Sequence, residues 1–156
     1  MSTEELTLKK GRMVVAVDGS PSSIEALEWA SKHAQKLDCY IEVIAMWQVF
    51  ILSGDPIAAG MPFGLIVPDT TLEHSMHAVL NECAEKVFEH SRPLDLIMRT
   101  VQGDPTYVLI EESKTATMLV LGSRGHGKLH NLVLGSVSAS CAAKAHCPVL
   151  IVRGQD

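Results

Sequence analysis

The sequence predicts an α/β fold in which a parallel sheet carries helices on both faces, forming three layers. Segments that favour strands alternate with segments that favour helices along the 156 residues. The strand segments are continuous apolar runs without polar alternation, as expected of strands covered on both faces. Two helices open with a polar cap residue followed by proline, which marks a helix start. This alternation predicts a doubly wound parallel sheet with right-handed crossovers.

The first strand and the first helix have clear N-terminal boundaries. Residues 13–17 are an apolar, β-prone run, and Ser20 with Pro21 predicts an N-cap and the first helical position. Ser22 and Glu25 offer a competing capping box. The apolar residues of this helix recur at helical spacing and predict one buried stripe, with the helix running to about its last member: Ile24, Leu27, Ala30, Ala34 and Leu37.

The remaining elements continue the alternation. Asp104 and Pro105 supply a cap and a first helical position for a short helix. The predicted helices cover about 72–87, 106–113 and 137–145. The predicted strands are residues 41–46, 96–101, 118–121 and 149–152.

One domain is expected over residues 11–153, because a chain of this size can bury one substantial core. Residues 1–10 carry alternating charge and no period, which predicts a flexible N-terminal tail. Residues 47–69 form a long loop without period, rich in glycine, proline and large apolar side chains. Such a loop is expected to be a lid or a partner surface, or else simple cover of the core.

The composition limits the expected binding partners and the expected cellular location. The net charge is −5 and the longest basic run is Lys9 with Lys10, which argues against nucleic acid or an anionic membrane as the main partner. Glycine, proline and aspartate interrupt the apolar stretch 49–67, so no membrane helix is expected there. The four cysteines show neither metal-ligand spacing nor a C-x-x-C pair, and the N-terminal segment is acidic. These features predict reduced thiols and a cytoplasmic protein.

A glycine-rich loop between the fourth strand and the last helix is the strongest signal in the chain. It contains Gly122, Gly125 and Gly135, followed by Ser136. Glycine lets backbone N–H groups approach an anion closely, because it has no Cβ. The first N–H groups of a helix have no internal partner and point at that anion. The loop therefore predicts a phosphate site, although Gly135 and Ser136 could also be an ordinary helix start.

Two common nucleotide motifs fit this loop poorly. Gly122, Gly127 and Lys128 match a Walker A loop, but Leu129 stands where serine or threonine should hold Mg²⁺. A dinucleotide fingerprint fails because His130 stands where glycine is required. The remaining pattern, G-x2-G-x9-G-S, closely resembles the nucleotide-binding signature of the universal stress protein family, in the branch that binds ATP.

The resemblance covers nearly the whole chain and implies a Rossmann-like sheet in the order 3-2-1-4-5. With that order, Asp18 at the end of the first strand would face the glycine loop across a crevice; the alternative role of Asp18 is that of a turn or cap residue. The resemblance implies that Ala16, Val17 and Met46 line the adenine pocket. It also implies that Asp18 and Gly122 hold the ribose. The resemblance implies that the phosphates are held by Gly125, Gly135, Ser136, Val137 and Ser138. The charges of Arg124 and Lys128 are not fixed by the motif but lie on the loop and are expected to screen the γ-phosphate. Leu121 and Ser123 complete the expected nucleotide-binding residues.

The expected ligand is ATP or another adenine nucleotide, with or without Mg²⁺, and no resident metal site is predicted. A homodimer through residues 149–152 is expected because that apolar last strand would otherwise be an exposed edge. The signature holds no obvious base for water, which favours a regulatory nucleotide-binding protein with little or no hydrolysis. A weak ATPase or phosphotransferase, and an interaction module that binds no nucleotide, stay open as alternatives.

Overall fold

A computed structural model describes residues 10–49, 69–89, 91–126 and 133–154. Residues 1–9 of the predicted tail and 50–68 of the predicted long loop lie outside the described residues. The described strands are β1 (Gly11–Ala16), β2 (Cys39–Trp47), β3 (Ile97–Gln102), β4 (Met118–Gly122) and β5 (Val149–Val152). The helices are α1 (Pro21–His33), α2 (Asp69–Phe88), α3 (Pro105–Ser113) and α4 (Ser136–Lys144).

The five strands form one parallel sheet in the order β3-β2-β1-β4-β5. This confirms the predicted α/β fold and its strand order. β1 lies in the middle, with β2 on one side and β4 on the other, so the strand order reverses beside β1. In a parallel sheet that is where a crevice opens at the carboxyl ends of the strands.

Each face of the sheet has its own apolar core. Successive residues of β1 point to opposite faces, and Met13, Val14 and Val15 are all fully buried. Met13 and Val15 pack with α1 and α2, whereas Val14 packs with α3 and α4. The continuous apolar strands of the sequence therefore correspond to a sheet covered on both faces. None of the helices in the described ranges is long and apolar enough to cross a membrane.

The predicted helix starts are confirmed. Ser20 is the N-cap of α1, and its side chain accepts the Ser23 N–H, so the competing capping box opened by Ser22 does not set the start. Asp104 caps α3 in the same way by accepting the Tyr107 N–H. Both helices have proline in the first turn, as expected from its fixed φ.

The predicted end of the first helix is wrong. α1 ends at His33 and the chain continues as a 3₁₀ turn, Gln35–Leu37, before Asp38 adopts a left-handed conformation with φ 52°. The tighter 3₁₀ winding takes Leu37 off the buried stripe, and it is 49% exposed. Leu27, Ala30 and Ala34 are buried as predicted.

The cysteines pack as small apolar residues. All four are free thiols; Cys39, Cys83 and Cys141 are buried, and Cys147 is half-buried. Burial, with a smaller effect of Cys147, raises the pKa of the Cys141 thiol to about 11. At neutral pH that thiol is uncharged and unreactive, as expected for a core side chain.

Candidate functional site

A cavity of about 340 Å³ lies at the carboxyl ends of β1 and β4. The chain brings together there most of the residues that the sequence singled out, from three strands, the loop after β4 and the first turn of α4: Ala16, Val17, Asp18, Met46, Leu121, Gly122, Arg124, Gly125, Gly135, Ser136, Val137 and Ser138. Ser123 lies behind the wall. It is buried, its N–H donates to Val152 O at 2.8 Å, and its C=O accepts the Gly135 N–H at 2.7 Å.

Four further residues line the cavity and were not foreseen. Ser23 comes from the first turn of α1, Pro105 and Leu109 from the first turns of α3, and Leu134 from the segment before α4. The start of α3 follows a parallel strand, so it reaches the same edge of the sheet as the ends of β1 and β4. The Gly103-Asp104-Pro105 turn was the available signal for that contribution.

Asp18 lies against the glycine loop. A Cβ at Gly125 would be 2.7 Å from Asp18 Oδ2, so with any other residue type the carboxylate would have to shift. The other oxygen, Oδ1, accepts the Ser20 N–H at 2.9 Å. Asp18 is therefore a turn residue and a wall of the cavity at the same time, and the two expected roles are compatible.

The start of α1 anchors the loop from below. The Arg124 carbonyl accepts hydrogen bonds from Ser22 Oγ at 2.5 Å and from Ser20 Oγ at 3.3 Å. Ser23 Oγ accepts the Asp18 N–H at 3.3 Å. Three serines in one helix start thus hold both sides of the crevice in place, which sequence reasoning had treated only as capping.

The first turn of α4 presents N–H groups to the cavity. Gly135 is its N-cap with φ −66° and ψ 161°, an extended conformation that other residues also adopt. Its own N–H is already bonded to Ser123 O. The N–H groups of Ser136, Val137 and Ser138 come first in the helix and have no acceptor within it. They are the donors that an anion would meet.

Ser138 has a second role in holding the site together. Its hydroxyl donates to Gly122 O at 2.6 Å, and the residue is buried. This bond ties α4 to the end of β4 and occupies the hydroxyl proton that was expected to face a phosphate. Ser136 is exposed, so its hydroxyl is the one free to point at a ligand from this turn.

The cavity has an apolar part and a polar part. Ala16, Val17, Met46, Leu109 and Leu121 form the apolar part. The polar part joins the open N–H groups of α4 to the two charged residues that line the cavity in the described part of the chain, Asp18 and Arg124. A lining of this kind can receive a ligand that carries both an apolar ring and an anionic group.

The relation to known proteins agrees with this geometry. The model of the universal stress protein family matches residues 10–153. The chain belongs to the universal stress protein family. This universal stress protein is 30% identical over 148 residues to one from Mycobacterium tuberculosis, a match that covers 95% of this chain and 50% of the relative. A relative from Mycolicibacterium smegmatis is 32% identical over 148 residues, covering 92% of this chain and 48% of the relative. The chain spans about half the length of the curated relatives it matches.

Solved structures of the family share the fold. UspA from Lactobacillus plantarum aligns with a TM-score of 0.68 at 18% identity, covering 93% of this chain and 99% of that one. A universal stress protein in complex with cAMP aligns with a TM-score of 0.65 at 25% identity, covering 94% and 99%. A family protein from Arabidopsis thaliana with AMP bound aligns with a TM-score of 0.53 at 21% identity, covering 93% and 92%.

Proposed function

We propose that this universal stress protein binds an adenine nucleotide, in the first place ATP, in the cavity at the ends of β1 and β4. The observation that carries the proposal is the division of this cavity into an apolar part and a part with open helix N–H groups. A purine ring fits the first, phosphates fit the second, and the Asp18 carboxylate lies where ribose hydroxyls could donate to it. The cavity volume falls at the low end of the range for small-molecule sites.

The residues on the phosphate side suit an anion without a resident metal. Arg124 supplies a permanent positive charge, and the first turn of α4 supplies aligned N–H groups. Any Mg²⁺ would arrive with the phosphates, as it does at most nucleotide sites. The family member solved with cAMP, which is 25% identical, supports an adenine nucleotide as the ligand class.

The role we propose is regulatory, in a stress response, with little or no hydrolysis of the nucleotide. Nucleotide binding would change the surface around the start of α4, and that surface would report nucleotide occupancy to other proteins. We further propose a cytoplasmic homodimer, on the grounds of four free thiols and an apolar edge strand, β5. A weak ATPase or phosphotransferase and an interaction module that binds no nucleotide are the competing functions.

Native mass spectrometry of the purified protein tests the ligand class directly, and calorimetry with ATP, AMP and cAMP ranks the ligands. We expect one adenine nucleotide per chain. Arg124→Ala should raise the Kd for ATP about three- to tenfold, because an exposed charge-assisted contact contributes less than the roughly 1.5–3 kcal/mol of a buried one. A loss of about 1.4 kcal/mol corresponds to a tenfold rise in Kd. Lys144→Ala, at the opposite end of α4, is the matched control and should leave the Kd unchanged.

Two outcomes would overturn the proposal. Absence of bound nucleotide in native spectra, together with no binding of ATP at millimolar concentration, would leave the interaction module. Steady release of phosphate from ATP with many turnovers would instead establish the enzyme.

A further inference from the structure

Three consecutive residues of the glycine loop contact the turn that follows β1. Arg124 does so through its carbonyl, which accepts the serine hydroxyls at the start of α1. Gly125 does so because it has no Cβ, which leaves room for the Asp18 carboxylate. The third contact comes from a side chain, that of His126.

The imidazole of His126 lies over the turn at Asp18 and Gly19. His126 Nε2 is 2.6 Å from the Asp18 carbonyl oxygen. A Cβ at Gly19 would lie 3.5 Å from His126 Nε2 and 3.5 Å from Val79 Cγ1, so the ring sits beside α2 above this turn. Gly19 has φ +82°, a left-handed conformation that favours glycine, at the point where the imidazole meets the turn.

The direction of this hydrogen bond follows from chemistry. A carbonyl oxygen only accepts, so Nε2 must carry the proton and donate it. Both the neutral Nε2–H tautomer and the imidazolium can do this, and the contact does not require a charged ring. His126 is exposed and does not line the cavity. Its hydrogen bond in the described part of the chain is the one to the turn after β1.

We propose that His126 is a positioning residue for nucleotide binding. By donating to the Asp18 carbonyl it holds the loop closed on the turn after β1, with Gly125 against the Asp18 carboxylate, before any ligand arrives. The inference rests on the proposed function for its ligand, an adenine nucleotide, but the hydrogen bond and the order it imposes belong to the free protein.

A hydrogen bond of this kind affects nucleotide affinity by ordering the loop in the protein without nucleotide. A loop that is already in place has less conformational entropy to lose when the nucleotide binds. Removing one modest hydrogen bond should therefore raise the Kd about two- to tenfold. Because His126 does not line the cavity, the factor should be the same for AMP and for ATP.

Three variants distinguish loss of the hydrogen bond from loss of side-chain volume: His126→Ala, His126→Gln and His126→Asn. The glutamine amide nitrogen lies three bonds from Cβ, as Nε2 does, and can donate to the same carbonyl, whereas the asparagine nitrogen is one bond shorter. We expect His126→Ala and His126→Asn to lose affinity equally and His126→Gln to recover most of it. His74→Ala removes an exposed histidine from α2 and should bind as the original protein does.

The first measurement uses the protein without nucleotide. Backbone ¹⁵N relaxation should show Gly125 and His126 as rigid as β4 in the original protein and in His126→Gln, and more mobile in His126→Ala and His126→Asn. Equal rigidity of this loop in all variants would overturn the proposal, whether or not the protein binds nucleotide.

The second measurement is calorimetry with AMP and ATP. A loss of affinity confined to ATP would show a direct phosphate contact and would also overturn the positioning role, as would equal affinity of His126→Ala and the original protein. If the original protein binds neither ligand, the proposed function fails, and the relaxation data alone decide whether His126 holds the loop.

Discussion

Gly122 is required by close packing between the end of β4 and the start of α1. A Cβ at this position would lie 2.6 Å from Ser22 Oγ and 2.7 Å from both Ser22 C and Ser23 N. Two of these three atoms belong to the backbone of a helix and cannot turn aside. Gly122 therefore lets the strand end lie directly on the first turn of α1, which brings the glycine loop to the turn after β1.

Gly122→Ala should destabilise the protein by about 1–3 kcal/mol, the usual cost of forcing an extra carbon into a filled site. Gly135→Ala is the matched control, because a Cβ there would be 3.4 Å from its nearest neighbour, Ser123 O. That change should alter stability by less than about 0.5 kcal/mol, since alanine is a poorer N-cap but restricts the unfolded chain. Urea denaturation of both variants measures the difference. Equal stabilities would mean that the start of α1 can move away from β4.

The spacing of the glycines marked the site, but the sequence could not show what each glycine does. Gly122 serves packing and Gly125 makes room for Asp18, while Gly135 has an ordinary φ. The supporting serines, Ser20 and Ser22, look like capping residues in a sequence because their partner, Arg124, lies about a hundred positions further along the chain. Contacts of that range depend on the fold and leave no local pattern.

At the scale of elements, four charged side chains join β1, β2, β3 and α3 at the end of the sheet opposite the cavity. Arg12 donates to Glu42 and to Glu112, at 2.9 Å each, and Arg99 donates to the same two carboxylates. Arg12 also donates to the Glu112 carbonyl, where a positive charge suits the C-terminal end of α3. The network fixes α3 on the sheet from the end opposite the cavity.

The network makes stability depend on pH through Glu112. Burial opposes its ionisation, but hydrogen bonds from Arg99 and Arg12 outweigh burial and hold the pKa of Glu112 below its usual value. A lowered folded-state pKa contributes stability that is complete above the unfolded pKa, about 4.3, and is lost as pH falls through the folded value. The stabilisation should therefore be present at pH 7 and disappear in acid.

Glu112→Gln should cost about 1–3 kcal/mol at pH 7, because two arginines lose a charged partner. The difference from the original protein should shrink below about pH 4. Glu111→Gln, one residue earlier, removes only an exposed pair with Lys114 and should cost about 0.5 kcal/mol or less. Urea denaturation from pH 7 to pH 3 measures both variants. A constant difference across that range would show that Glu112 acts through packing and not through its charge.

The starts of α1 and α3 were predicted from the sequence more accurately than the end of α1. Ser20 with Pro21 and Asp104 with Pro105 carry their signal in adjacent residues, so they were found without any tertiary information. The end of α1 depends on how the chain must turn to enter β2. The apolar spacing continues to Leu37 and therefore predicted a longer helix. The charges of Arg12, Glu42 and Arg99 within strands were the available sign of the network, and sequence reasoning did not use them.

At the scale of the whole molecule, periodicity alone predicted a parallel sheet with two covered faces. The order of the strands came from the resemblance to the family, because strand order depends on which face each crossover takes. That order leaves β3 and β5 as the two edges. β3 carries Arg99 and Thr100, whereas β5 is apolar throughout and each of its residues is partly exposed.

The direction of the main chain in β5 shows which groups are open for pairing. Pro148 O accepts from Leu119 and Val152 O accepts from Ser123, so these residues face β4. Successive peptide groups along a strand alternate in direction, and the N–H of Ile151 therefore points away from the sheet. An unpaired apolar edge of this kind favours pairing with a second chain.

We expect the protein to have twice the 16.9 kDa mass of one chain in light scattering at micromolar concentration. Ile151→Pro removes the outward N–H without removing a bond to β4, and proline is tolerated on an edge strand. This variant should be a folded monomer by circular dichroism and light scattering. Ile151→Ala keeps the N–H and loses the side chain, so it should remain a dimer at the same concentration. A dimeric Ile151→Pro would place the interface elsewhere, and a monomeric original protein would exclude the homodimer.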